Sequence, residues 1–290
     1  MSAGRFAPSP SGDLHVGSLR TALLAWLFAR SSGRRFLMRV EDLDRVRPGA
    51  EGRQLDDLRS LGIDWDGDVV RQSDRLALYD DAIDRLTVAG RVYPCFCTRR
   101  EILNAPSAPH QPPGSYPGTC RDLTDTERAR RVSERPAALR LRADTGEWTV
   151  DDALHGAFTG TVDDVVLRRN DGVPAYNLAV VVDDGAQGVD QVVRGNDLLT
   201  YAAWQAYLAT LLGHDPPTYA HVALALNTSG QRLAKRDGAV TRSELEHRGV
   251  DVFALIVDSL GLSGATPGEV LDSFTPERLP RQPWTFVPPD

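Results

Sequence analysis

The chain is short of several things, and each shortage closes off a class of protein. Its 290 residues include three cysteines, too few for the disulfide framework that staples small secreted domains. No apolar run approaches the roughly 18–20 residues of a membrane-spanning helix. The longest stretch near the start, Leu19 to Ala29, contains Arg20 and Thr21 and follows a loop with no cationic leader, so it does not read as a signal peptide. A cytoplasmic protein is the default expectation. Positive charge is not in excess: 33 Lys and Arg against 40 Asp and Glu leave a net charge of −7. That balance argues against a general nucleic-acid coat protein. It leaves room for one specific complex, to which Arg128-Ala129-Arg130-Arg131 or Arg168-Arg169 could lend a local basic face.

What remains is an ordinary globular composition, 41% hydrophobic and 25% charged, in a chain long enough for two domains or one domain with an insertion. Gly4 to Ala7 reads as a short buried strand running into a loop of Pro, Ser and Gly. Leu19, Ala22, Leu23, Trp26 and Leu27 then recur at helical spacing over Ser18 to Arg30, with Gly33 as the C-terminal stop. Phe36 to Val40 is the next strand, with Glu41 and Asp42 at its carboxyl end. Helices follow over Ala50 to Leu61 and Arg75 to Ala89, stopped at Gly62 and Gly90. This alternation predicts an α/β fold with a doubly wound parallel sheet, whose ligands sit beyond the carboxyl ends of the strands.

From about Pro94 to Arg121 the pattern breaks down into Pro, Gly and Ser, and all three cysteines fall there. Strand-like segments follow at Ala138 to Arg142 and Thr161 to Arg169. Pro174 to Val182 is an almost continuous apolar run, the mark of a buried parallel strand. A helix over Leu198 to Leu212 and a strand over Tyr219 to Leu226 complete the sheet. Thr241 to Asp290 reads as short helices and a Pro-rich tail. The expected divisions are 1–93 and 168–240 for the two halves of the core, 94–167 for an insertion and 241–290 for a short helical C-terminal region.

Two short signatures carry the chemistry. Pro8-Ser9-Pro10-Ser11-Gly12-Asp13-Leu14-His15-Val16-Gly17-Ser18 places a His and a Gly at the mouth of a helix, where amide groups and the helix dipole favour a phosphate. Arg232-Leu233-Ala234-Lys235-Arg236 supplies cations that could close over the same phosphates. Cys95-Phe96-Cys97 and Cys120 offer three thiolates in a segment too poor in apolar residues to fold unaided, so a structural Zn²⁺ would give it a core. The chemistry leaves the fourth ligand open between His110 and Tyr116.

The ordered pair of signatures resembles the HIGH and KMSKS motifs of class I aminoacyl-tRNA synthetases. Arg5-Phe6-Ala7-Pro8-Ser9-Pro10-Ser11-Gly12-Asp13-Leu14-His15-Val16-Gly17 and Arg39-Val40-Glu41-Asp42-Leu43-Asp44 are similar to glutamyl-tRNA synthetases in particular. Synthetases of that type continue past the KMSKS loop into an anticodon-binding domain. Here only Asp237 to Asp290 follow. A short chain of this type with Cys95-Phe96-Cys97 and Tyr116-Pro117-Gly118-Thr119-Cys120 resembles the glutamyl-Q tRNA(Asp) synthetase family. The resemblance implies a Rossmann-type core without an anticodon-binding domain. It implies tRNA-independent activation of L-glutamate with ATP and Mg²⁺, then transfer to queuosine at the wobble position of tRNA(Asp), by a monomer. It implies His15, Gly17, Ser18 and Lys235 for ATP, with His15 and Lys235 catalytic. Arg5, Phe6, Ala7, Pro8 and Ser9 would form one wall of the glutamate pocket, with Glu41 for the ammonium and Tyr176 and Arg194 on the second wall. It also implies Cys95, Cys97, Tyr116 and Cys120 as the zinc ligands. The late signature departs from its pattern, with Arg232, Ala234 and Arg236 where Lys, Ser and Ser are usual. The alternatives are a conventional glutamyl-tRNA synthetase fragment and a non-catalytic paralogue that binds glutamate or tRNA.

Overall fold

The computed structural model describes residues 2–105, 115–233 and 240–288. His110, Ala234, Lys235 and Arg236 lie outside the described residues. The first strand, β1 (Ala3–Phe6), is wholly buried and is followed by α1 (Val16–Ser31), which is buried nearly all round. Their close approach depends on Gly4, where an added Cβ would stand 2.9 Å from the Ala29 Cβ. Gly33, with φ of +68°, turns the chain into β2 (Arg35–Val40). The segment continues through α2 (Ala50–Ser60), β3 (Val70–Arg71) and α3 (Leu76–Val88). Gly62 and Gly90 stand just beyond α2 and α3 with φ of +74° and +70°, conformations that glycine adopts without steric cost.

The stretch expected as one insertion divides between two sheets. β4 (Val92–Cys95) leads to two short helices, α4 (Arg99–Asn104) and α5 (Asp125–Glu134). Each opens with a reciprocal capping box, Thr98 with Glu101 and Thr124 with Glu127. β5 (Ala138–Leu141) pairs antiparallel with β4 and with β8 (Val166–Arg168), giving a separate three-stranded sheet. The intervening hairpin of β6 (Glu147–Asp152) and β7 (Gly156–Thr161) instead joins the main sheet at its edge.

The apolar run from Pro174 to Val182 is not a strand. It opens α6 (Tyr176–Gln187), which ends on Gly188 in the left-handed conformation at φ of 68°. Val180, Val181 and Val182 are all buried because α6 is enclosed by α3, the sheet and the helix that follows. A run apolar on every side cannot distinguish a buried helix from a buried strand, and here burial decided for the helix. The strand comes next, as β9 (Val189–Gly195), followed by α7 (Leu199–Leu211), β10 (Thr218–Val222) and β11 (Ala225–Leu226).

The main sheet has the order β3-β2-β1-β9-β10-β6-β7, parallel throughout except for the β6–β7 hairpin. Successive residues of β2 face opposite sides: Phe36 and Met38 join the core around α1, whereas Leu37 joins the core containing Ala202 and Ala206 of α7. Both faces are therefore covered, as a doubly wound sheet requires. The chain then adds α8 (Arg242–His247), α9 (Val252–Ser259), α10 (Pro267–Asp272) and β12 (Trp284–Thr285). Val252, Ile256, Val257 and Val270 of this region extend the α1 core. Among the described residues no helix is long and apolar enough to cross a membrane.

Gly4→Ala should test the strand–helix contact. The new methyl would press on Ala29, a backbone-anchored Cβ, so we expect a loss of about 1–3 kcal/mol, read as a lower urea midpoint at unchanged slope.

Candidate active site

The strand order reverses between β1 and β9, and a cleft of about 440 Å³ opens beside this switch point. Its walls include Arg5, Phe6, Ala7, Pro8, Ser9, His15, Gly17, Ser18, Glu41, Tyr176 and Arg194. The structure thus brings together every expected ATP- and glutamate-site residue that it describes.

His15 caps α1. Its Nδ1 accepts from the Ser18 amide at 3.1 Å, so in the neutral ring the proton stands on Nε2, 3.1 Å from the Ser18 hydroxyl. Nε2–H is then a donor beside the Ser18 hydroxyl, on a residue that lines the cleft. The helix amides themselves are partly engaged: that of Val16 donates to the Val240 carbonyl at 2.7 Å and that of Ser18 to His15. Gly17 is needed by the protein's own packing. A Cβ there would lie 2.8 Å from the Ala225 Cβ and 3.1 Å from His15 Nδ1, so the protein itself makes the close approach.

Beneath the cleft lies a buried ionic network that motif reading missed. Arg39 is fully buried and meets Asp184 at 2.8 Å, Glu41 at 3.6 Å and Asp183 at 3.7 Å. Arg5 Nε reaches Asp184 at 3.4 Å. Asp183 accepts from Gln72 at 2.9 Å, Arg75 at 2.6 Å and Tyr79 at 2.9 Å. Burial works against the Asp184 carboxylate, but Arg39 and Arg5 outweigh it and hold its pKa below the usual range. At Glu41 burial wins over Arg39 and Arg5, and its pKa is raised. Glu41 thus gains from an added cation such as an ammonium.

Arg194 is held differently. It is 6% exposed and donates from Nε to His221 Nε2 at 3.0 Å, from Nη1 to Gln205 Oε1 at 2.6 Å and from Nη2 to the Leu198 carbonyl at 3.2 Å. Among the described residues it has no carboxylate partner. Tyr176, expected in a strand, stands instead at the first turn of α6 and is 42% exposed on the cleft wall.

The cysteines form a second site. The sulfurs of Cys95, Cys97 and Cys120 lie within 4.8 Å of one another, an arrangement that could hold a metal ion. Cys97 and Cys120 are 3.6 Å apart, close to the roughly 3.8 Å edge of a tetrahedron with Zn–S bonds of about 2.3 Å. The Tyr116 hydroxyl lies 3.4 Å from Cys95 Sγ, so its oxygen stands beside the three sulfurs. Without an ion, burial and the neighbouring Cys95 push the Cys97 thiol up to about 12. A divalent cation removes that penalty, and the donor set fits one.

The family pattern described as tRNA synthetases class I (E and Q), catalytic domain, matches residues 3–286. A glutamyl-Q tRNA(Asp) synthetase of Nocardia farcinica is 66% identical over 289 residues, covering 98% of this chain and 93% of its own. The chain belongs to the glutamyl-Q tRNA(Asp) synthetase family. Another member, from Cutibacterium acnes, is 54% identical over 280 residues, 93% of this chain and 80% of that one. The crystal structure of a glutamate tRNA ligase from Elizabethkingia meningosepticum in complex with its amino acid superposes with a TM-score of 0.82 at 27% identity. The superposition covers 99% of this chain and 67% of that one. The protein is accordingly a class I synthetase-type ligase. One sequence signal went unused: Lys235 is the only lysine among the 290 residues.

Asp184→Asn should be strongly destabilising, because it leaves Arg5 and Arg39 without their shared anion; breaking a buried pair costs about 3–5 kcal/mol. The lowered pKa gives the pH dependence a sign. Stability from this carboxylate is complete above its ordinary pKa of about 3.9 and lost as pH falls further. Thermal melts between pH 7 and about pH 3 should show the wild-type advantage shrinking at the acid end. An undiminished gap would mean that Asp184 is not ionised against these arginines.

Proposed function

We propose that this member of the glutamyl-Q tRNA(Asp) synthetase family activates L-glutamate with MgATP in the absence of tRNA and then transfers it to queuosine at the wobble position of tRNA(Asp). The observation that carries the reading is Arg194, a buried cation on the cleft wall with no carboxylate partner among the described residues, in the same cleft as Arg5, Glu41 and His15. An amino acid with two carboxylates and one ammonium matches that set: arginine forks for the carboxylates and Glu41 for the ammonium.

In the first step a glutamate α-carboxylate oxygen attacks the α-phosphorus of ATP. A carboxyl–phosphate anhydride forms, the bond to the β-phosphate oxygen breaks, and pyrophosphate leaves. Charge grows on the phosphate oxygens, where positioned donors do most of the catalysis. His15 Nε2–H is one such donor in this reading, and Lys235 is assigned as a second on sequence grounds. Gly17 and Ser18 border the nucleotide, while Phe6, Ala7, Pro8 and Ser9 supply the backbone edge along glutamate beside Tyr176. In the second step a ring hydroxyl of queuosine attacks the activated carbonyl, the bond to phosphate breaks, AMP leaves and the hydroxyl proton is released. The protein is proposed to act as a cytoplasmic monomer.

We assign the thiol cluster to one structural zinc, with Cys95, Cys97, Cys120 and Tyr116 as ligands. The ion supplies a cross-link that ties β4 to the 116–120 turn and takes no part in transfer. Tyr116 is favoured by its hydroxyl beside Cys95 Sγ.

Glutamate-dependent ATP–pyrophosphate exchange is the direct test. Exchange without tRNA is expected; exchange only with tRNA(Glu) would favour a conventional synthetase, and none at all a binding-only paralogue. For the metal, protein purified without chelator should contain about one zinc per chain. Cys97→Ser should lower both zinc content and melting temperature, and a zinc-free wild type would end the assignment.

A further inference from the structure

Buried arginines usually face a carboxylate, and Arg5 and Arg39 follow that rule. Arg194 does not: among the described residues its three protein acceptors are all neutral. Behind one of them stands an anion. Asp152 closes β6, and its Oδ1 accepts from the amides of Leu154 at 2.8 Å and His155 at 2.9 Å. Its Oδ2 accepts from the His221 amide at 3.0 Å and lies 2.6 Å from His221 Nδ1. A carboxylate receiving that many donors stays ionised and can only accept, so Nδ1 carries a proton. On the far side of the ring, Arg194 Nε is a donor in every state and stands 3.0 Å from Nε2. A proton on Nε2 would set N–H against N–H. The ring is therefore the neutral Nδ1–H tautomer, with its Nε2 lone pair on the arginine.

We propose that His221 is a positioning residue: in its neutral Nδ1–H form, fixed by Asp152, it orients Arg194 into the cleft while leaving the guanidinium charge for a substrate carboxylate. The inference rests on the reading of Arg194 as a receptor for a glutamate carboxylate. A direct Asp–Arg pair would orient the side chain equally well, but it would neutralise the cation and compete with the substrate. Interposing an imidazole separates the two effects.

The groups around the ring agree with this state. His221 is 1% exposed, stacks on Tyr219 at 5.6 Å between centroids, and accepts at its carbonyl from His155 Nε2 at 2.9 Å. Arg194 also lies over the Tyr219 ring, 5.4 Å from its centroid. Burial, Arg194 and His155 disfavour the imidazolium and Asp152 favours it, with the net pKa below the ordinary value of about 6.5. Protonation of His221 removes the acceptor for Arg194 Nε, so substrate affinity falls as pH drops through the lowered pKa of this imidazole.

The test combines exchange kinetics with ¹⁵N NMR on the intact protein, between about pH 5 and 8. His221→Phe should raise the KM for glutamate about 10- to 100-fold and leave the KM for ATP unchanged. His221→Gln, which keeps an acceptor oxygen but cannot titrate, should recover part of the affinity and lose the acid-side rise in glutamate KM. The ATP constant, measured in parallel, separates titration of His15. In the wild type the imidazole should show a protonated Nδ1 and a bare Nε2 at neutral pH. The Arg194 Nε–H signal should be slow to exchange in the wild type and fast in the Phe variant. An Nε2–H tautomer, an unchanged glutamate KM in a folded Phe variant, or an acid limb persisting in the Gln variant would each overturn the proposal. If the wild type does not activate glutamate, the substrate reading fails, while the two NMR signals still decide whether His221 positions Arg194. A Phe variant that fails to fold leaves the wild-type tautomer and the Gln pH profile to decide.

Discussion

Arg39 has no contact with water, and a guanidinium in that position is tolerable only among anions and acceptors. Asp184, Glu41 and Asp183 surround it, with the Gln187 side chain at 2.8 Å. Each of these partners has a second duty. Asp184 also meets Arg5, Asp183 gathers Gln72, Arg75 and Tyr79, and Glu41 borders the cleft. One buried cation thus pins β2 to α6 and sets the floor on which the cleft residues stand. Within that floor Arg5, Arg39 and Arg75 match Glu41, Asp183 and Asp184 in charge. Arg194 stands outside this buried balance, held by neutral acceptors instead.

The parts of the site that lie next to one another in the chain were legible in the sequence. His15, Gly17 and Ser18 follow a proline-rich loop at a helix mouth, and Glu41 follows a strand of recognisable pattern. The supports beneath them were not legible, because their partners are distant in sequence. Arg39 and Gln187 are separated by 148 positions, Asp152 and His221 by 69. No local periodicity encodes such a pair. The two aspartates lie just after Val180-Val181-Val182, in a segment whose apolar character suggested a strand. As a strand it would have placed Asp183 and Asp184 on opposite faces. As a helix it sets them on adjoining sides, one toward Arg75 and Tyr79 and the other toward Arg5.

The molecule uses polar side chains as core material in places where apolar packing is thin. The cysteine segment gathers Tyr93, Cys95, Phe96, Tyr116 and Cys120 into a small cluster apart from the larger cores. Tyr93 and Cys95 belong to β4 of the three-stranded sheet, and Asp164 braces the cluster by accepting from Tyr93 at 2.6 Å and Arg121 at 2.6 Å. Polar fastening also enters the main core at Arg20, which is buried in α1 and donates to the Ala223 carbonyl at 2.6 Å and the Ser259 hydroxyl at 3.1 Å. Burial brings its pKa down to about 10. Through Arg20 the helix that carries His15 is fastened both to the end of β10 and to α9.

Arg5 and Arg194 grow from β1 and β9, adjacent strands of one parallel sheet. The backbones that carry them are therefore held by ladder hydrogen bonds, with neighbouring strands about 4.8 Å apart, and not by a loop that could stretch. Two cations rooted in this way share a rigid base, and the sheet cannot widen or narrow beneath them.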